Sequence, residues 1–169
     1  MTLFTRLTAA ALAATCAVGA ATAALAHHRT DRQPYVHEET MGLLATARRA
    51  GIQIFTDRSN STKGLCREGL YGMANSNNQL LLCVENHGGD MVELADTVRH
   101  ELIHNAQFCK GGMIHPELKD KMLAAARDEL HMPMDKYEPR KYYREAEARV
   151  LAHLMDEHEV ADLVTKHCG

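Results

Sequence analysis

Five residues, His100-Glu101-Leu102-Ile103-His104, constrain this chain more than any other stretch, because they set H-E-x-x-H inside an amphipathic helix. At 3.6 residues per turn, positions i and i+4 stack on one face, so His100 and His104 are able to share one metal ion. Glu101 sits beside them, where a carboxylate takes a proton from a water on the metal. The chain holds 11 histidines, enough for the pattern to arise by chance, so its surroundings have to support it. They do. Met91, Ala95, Val98, Leu102 and Ala106 recur at helical spacing on the side away from the two histidines. Asp90 followed by Glu93 is an N-terminal capping signal, and Gly111-Gly112 ends the helix soon after Cys109.

The first residues read as a targeting segment. Arg6 supplies a positive start, Leu7 to Leu25 is rich in Ala, Leu and Val without a charge, and Ala24-Leu25-Ala26 offers an A-x-A cleavage site. Residues 1–26 are therefore expected to be a cleavable signal peptide and residues 27–169 a single exported domain, secreted or periplasmic. No later segment is apolar enough to span a bilayer, so no stable membrane insertion is expected. The chain has 19 basic and 22 acidic residues, and losing Arg6 leaves a net charge of −4. Such a mild acidic balance excludes the clustered basic footprint of a nucleic-acid binder.

Cys16 leaves with the signal, and Cys66, Cys83, Cys109 and Cys168 remain. Four cysteines in an oxidising compartment predict two disulfides. The expected pairs are Cys66–Cys83, closing a local hairpin, and Cys109–Cys168, tying the end of the metal helix to the C-terminus. The absence of any C-x-x-C pair argues against a zinc site built from these cysteines.

A coarse pass gives the frame. Residues 27–37 look like a flexible leader, Glu39 to Ala50 a helix, Ile52 to Phe55 a short strand, and residues 57–64 a loop. Leu70 to Ala74 and Gln79 to Glu85 are strands around the turn residues Asn75-Ser76-Asn77-Asn78. Pro116 opens a helix running to about His131, and Pro139 opens a last one running at least to His158. The expected class is α+β, with a small antiparallel or mixed sheet on the metal helix and two further C-terminal helices; together with H-E-x-x-H this resembles a minimal zincin-like domain.

Two histidines leave a catalytic zinc site one protein ligand short. A metzincin-type extension would need Gly at 107 and His at 110, where the chain has Gln107 and Lys110, and no G-T-x-D segment follows. The last helix offers Tyr142 to Ala152, with Glu145 and Glu147 as candidates. Here the chain resembles the gluzincins, zinc peptidases with H-E-x-x-H on one helix and a ligand glutamate on a later one. Their pattern E-x-x-A-[DN]-x-x-A, as in ImmA/IrrE-type and CAAX-protease-like zinc peptidases, is matched by Glu145, Ala148 and Ala152. Arg149 departs from it, standing where the family places an Asp or Asn that orients a ligand histidine. The resemblance implies Glu145 as third ligand. Glu147 is the rival, since it falls on the Tyr143-Val150-Leu154 stripe and a glutamate on an apolar face needs a partner.

These residues predict one catalytic Zn2+ and hydrolysis of peptide bonds, with Glu101 moving the proton. Tyr142, Tyr143 and His153 are candidate oxyanion donors. The strand before the metal helix, Gln79 to Glu85, is expected to line the cleft and pair with extended peptide. Two other readings share the same ligands: a zinc amidase acting on cell-wall peptide, and a non-catalytic, disulfide-stapled zinc-binding module. A purely structural site has no need of a carboxylate directly after its first histidine, which favours the enzyme.

Overall fold

Asp90 and Gly111 mark the ends of the longest helix, and the other elements are arranged around it. The computed structural model describes residues 33–58, 62, 64–131, 138 and 141–169. The expected signal peptide, residues 1–26, lies outside them, as does the start of the last helix at Pro139. The described elements are α1 (Gln33–Arg49), β1 (Gln53–Thr56), β2 (Gly72–Asn75), β3 (Gln79–Leu82), α2 (Met91–Lys110), α3 (Lys119–Asp128), α4 (Tyr142–Leu154) and α5 (Glu157–Cys168). Short 3-10 turns at Val84–His87 and Pro116–Leu118 precede α2 and α3. The class is α+β. Residues Val36–Gly169 form one unit, and the preceding unit, Met1–Tyr35, contributes only residues 33–35 to the described part.

The caps of α2 work as the sequence suggests. The Asp90 side chain accepts from the backbone N–H groups of Val92 and Glu93, satisfying two donors of the first turn. Gly111 takes the left-handed conformation (φ 82°) and donates to Gln107 and Phe108 carbonyls, ending the helix. Ala95, Val98, Leu102 and Ala106 are buried, as the stripe requires, but so are Ile103, Asn105 and Gln107. The helix is enclosed more widely than one stripe because α4 and α5 pack against it as well as the sheet.

The sheet has the order β1-β3-β2, with β1 parallel and β2 antiparallel to β3. Asn75 accepts from the Asn77 N–H through its side chain, and Asn78 sits at φ 55°, so the turn residues between β2 and β3 close the hairpin as expected. The expectation of Gln79 to Glu85 as a cleft-edge strand is corrected here. β3 ends at Leu82, is paired on both edges, and buries Leu80, Leu81 and Leu82 in succession. A strand covered on both faces reads as a continuous apolar run, and this one does. Among the described residues, the free edge beside α2 belongs to β2.

Three further boundaries differ from expectation. α1 begins at Gln33, so residues 33–37 are helical rather than a leader. The helix opened by Pro116 is a 3-10 turn followed by α3, which ends at Asp128. The single last helix is two, so that three α-helices follow α2. The chain breaks at Met155 because Asp156 caps α5: its side chain accepts from Glu159 N–H while the Glu159 carboxylate accepts from Asp156 N–H.

Both disulfides form as paired, Cys66–Cys83 across 17 residues and Cys109–Cys168 across 59. Arg99 supplies a non-covalent tie. It donates to the Ala152 carbonyl (3.1 Å) and the Glu157 carboxylate (2.5 Å) and pairs with Asp96 on its own helix. The last turn of α4, whose carbonyls lack helical partners, thereby receives a cation, which offsets its partial negative charge.

Candidate metal centre

Helical spacing puts His100 and His104 on one face of α2, their rings edge to face with centroids 4.7 Å apart. Glu145, in the first turn of α4, reaches them. Its Oε2 lies 3.3 Å from His104 Nε2 and 3.7 Å from His100 Nε2. One donor atom from each of the three residues falls within 4.8 Å of the others. Four ligands at ~2.0–2.1 Å in a tetrahedron are ~3.3 Å from one another, so these separations suit a shared metal ion. The three side chains are 12–20 % exposed, which encloses the site while leaving it open to solvent.

The electrostatics match a cluster that shares protons when no metal is bound. Burial opposes charge on Glu145, but its contacts with His100 and His104 outweigh that cost and hold the carboxyl well below the usual range. Burial likewise lowers the His104 pKa, while the Glu145 hydrogen bond, the charges of Glu145 and Glu101 and the Gln107 contact raise it above the ordinary imidazole value.

Glu101 follows His100 on α2 but turns to the sheet. Its Oε2 accepts a 2.8 Å hydrogen bond from the Ala74 N–H of β2. Antiparallel strands alternate inward and outward backbone groups. Cys83 N–H bonds the Tyr71 carbonyl, so Tyr71, Met73 and Asn75 face β3, while Gly72 and Ala74 turn their backbone groups to the free edge. Contact between β2 and α2 depends on Gly72. A Cβ at that position would lie 2.8 Å from both Glu101 Cγ and Thr97 Cγ2.

Two residues near the site carry no motif. His87 is buried, with Nδ1 2.9 Å from the Cys83 carbonyl, Nε2 3.0 Å from Thr97 Oγ1, and the Tyr71 ring edge-on at 5.1 Å. It braces the turn before α2 against the helix turn preceding Glu101. Gln107 is fully buried; its Oε1 lies 2.8 Å from His104 Nδ1, and its Nε2 donates to Glu147 (2.7 Å) and the Arg144 carbonyl (3.0 Å). A glutamine inside a helix has no spacing signature; only the approach of α4 gives it a role.

The rival carboxylate is placed elsewhere. Glu147 is fully buried and accepts from Gln107 Nε2, Ile114 N–H (2.7 Å) and His115 N–H (2.6 Å), so it holds the loop after α2 rather than facing the two histidines. Its need for partners is met by one side-chain amide and two backbone N–H groups. Of the candidate donors, Tyr143 packs with the Lys119 ammonium 5.5 Å from its ring centroid, Tyr142 is half-buried at the start of α4, and His153 is exposed near its end. Compared with known proteins, the chain matches no protein-family model, no curated protein and no solved structure.

Proposed function

We propose that this protein is an exported zinc metallopeptidase, with His100, His104 and Glu145 as ligands and Glu101 as general base. The observation that carries the reading is the convergence of two imidazoles and a carboxylate beside a second carboxylate held on a free strand edge. Among the described residues the group has three protein donors, the number of an open catalytic site rather than the four of a closed structural one. Two nitrogen donors and one oxygen donor suit zinc, a borderline-soft ion. The resemblance to gluzincins gains support from Ala148 and Ala152, whose burial lets α4 approach α2 closely.

Zinc bound there would polarise the scissile carbonyl and make a water acidic enough to be deprotonated near neutral pH. Glu101 would take the proton from the attacking water and deliver it to the leaving amine. The Ala74 N–H orients that carboxylate from the backbone. The remaining outward groups of Gly72 and Ala74 offer hydrogen bonds to an extended peptide, a mode that reads main chain before side chain. Two disulfides suit an oxidising compartment, and no helix of the described residues is long and apolar enough to cross a membrane.

The test is metal analysis of the purified mature protein together with hydrolysis of unfolded protein and of peptidoglycan, for the parent and Glu101→Gln. The expected result is one zinc per chain in both and turnover of protein only in the parent. Release of cell-wall peptide alone would make the protein an amidase. Zinc without turnover of either substrate, unaffected by Glu101→Gln, would make it a binding module.

A further inference from the structure

Which nitrogen of His104 faces the triad is decided by hydrogen-bond accounting one layer behind it. The Gln107 amide nitrogen lies against two groups that only accept, the Arg144 carbonyl and the Glu147 carboxylate. The amide oxygen must therefore face the other way, toward His104 Nδ1 at 2.8 Å. An amide oxygen only accepts, so Nδ1 donates to Gln107, which leaves Nε2, 3.3 Å from the Glu145 carboxylate, as the nitrogen that a metal would take. Glu147 in turn cannot rotate away, because the Ile114 and His115 N–H groups occupy its oxygens.

From this chain of contacts we infer that Gln107 is the positioning residue of the metal centre, fixing the tautomer and ring plane of His104, with Glu147 as its anchor. The inference rests on the zinc reading for its consequence but not for its geometry. It also accounts for the departure at residue 149. Arg149 has its Nε buried without a hydrogen-bond partner among the described residues. The task that the resembling family gives to a later helix is carried out from α2 itself, three residues after the ligand. Outer partners of metal-bound histidines raise metal affinity by ~10–100-fold in known sites.

The experiment uses the full-length mature protein with its disulfides formed. Gln107→Met keeps length and flexibility but removes the acceptor and both donors. Gln107→Glu restores an acceptor for Nδ1 while losing the donors to Arg144 and Glu147. The first readout is the nitrogen NMR spectrum of the His104 ring in metal-free protein below the ordinary imidazole pKa, where both ring nitrogens carry protons and face Gln107 and Glu145. The parent and Gln107→Glu should show an Nδ1 proton protected from solvent exchange, whereas Gln107→Met should lose that protection. The second readout is the zinc dissociation constant from chelator competition, which should rise ~10–100-fold in Gln107→Met and recover in part in Gln107→Glu. An Nδ1 proton as well protected in Gln107→Met as in the parent would overturn the inference, as would unchanged zinc affinity in that variant. If Gln107→Met does not fold, a parent whose Nδ1 proton is unprotected overturns it equally. A parent that shows the protected Nδ1 proton but binds no zinc would sink the metallopeptidase reading and leave this one standing.

Discussion

Gly72→Ala tests whether the strand edge sets the position of the proposed base. The new methyl would sit 2.8 Å from Glu101 Cγ and Thr97 Cγ2, against ~3.5–4.0 Å for ordinary carbon contacts. Neither neighbour yields easily. Thr97 is β-branched within a helix and its hydroxyl is engaged by His87, so rotating it loses a 3.0 Å contact. Glu101 is struck at Cγ, so relief there carries the carboxylate with it and stretches its bond to Ala74. Removing an overlap of ~1 Å costs roughly 1–3 kcal/mol of stability if the strand stays in place. A displacement of ~1 Å at a reacting group costs ~100-fold in rate, or about 2.7 kcal/mol of barrier. The expected outcome is a kcat lowered about 100-fold with zinc content unchanged and KM changed much less. Gly42→Ala is the control: its Cβ meets nothing within 4 Å, and the added methyl in α1 should stabilise by up to ~1 kcal/mol without touching turnover. A Gly72→Ala enzyme that folds, holds zinc and turns over at the parental rate would refute the reasoning.

The other predictions follow from the same geometry. Replacing His100, His104 or Glu145 by alanine should abolish stoichiometric zinc. Glu147→Ala should lower the melting temperature, by about 3 kcal/mol of stability, because two buried donors and one half-buried donor lose their acceptor; a stable, metal-free Glu147→Ala protein would reassign the ligand. Metal-free protein should be most stable between about pH 4.3 and pH 6.5, the ordinary carboxylate and imidazole values. The stabilisation from raised His104 is lost as pH rises through its folded pKa, and that from depressed Glu145 is lost as pH falls through its own. Zinc affinity should instead grow with pH as His104 gives up its proton, and titration calorimetry at several pH values would expose the opposite trend. Thiol titration of oxidised protein should find no free cysteine, and removing Cys109–Cys168 should cost about 4 kcal/mol against about 3 for Cys66–Cys83, since it closes the longer loop.

The features legible in the sequence were those that act locally. Helix caps at Asp90 and Gly111, the turn at Asn75–Asn78 and the histidine spacing each use chemistry contained within a few residues. Signals of the same kind were present but unweighted for α5, where Asp156 and Glu159 form a capping box, and for β3, whose three leucines do not alternate. What could not be read was partnership across the fold. A glutamate on an apolar stripe must find donors, but nothing near Glu147 in the chain says that these are Gln107 and the backbone of Ile114 and His115. The edge position of β2 likewise follows from which strand β1 joins, a long-range choice. Gly72 looks like any strand glycine until α2 lies against it.

The ties between α2 and α4 form a ruler. Arg99 grips the Ala152 carbonyl and Gln107 grips the Arg144 carbonyl, in antiparallel sense, and each pair of anchor points is eight residues apart on its own helix. At 1.5 Å per residue both spans are ~12 Å, with the His104–Glu145 contact between them. A single residue inserted in α4 between Glu145 and Ala152 would turn everything beyond it by ~100°, so one mark or the other must come off its stop. A substitution that spares these ties leaves the spacing intact, whereas a change in residue count does not. Length changes in this protein should therefore collect in the loops.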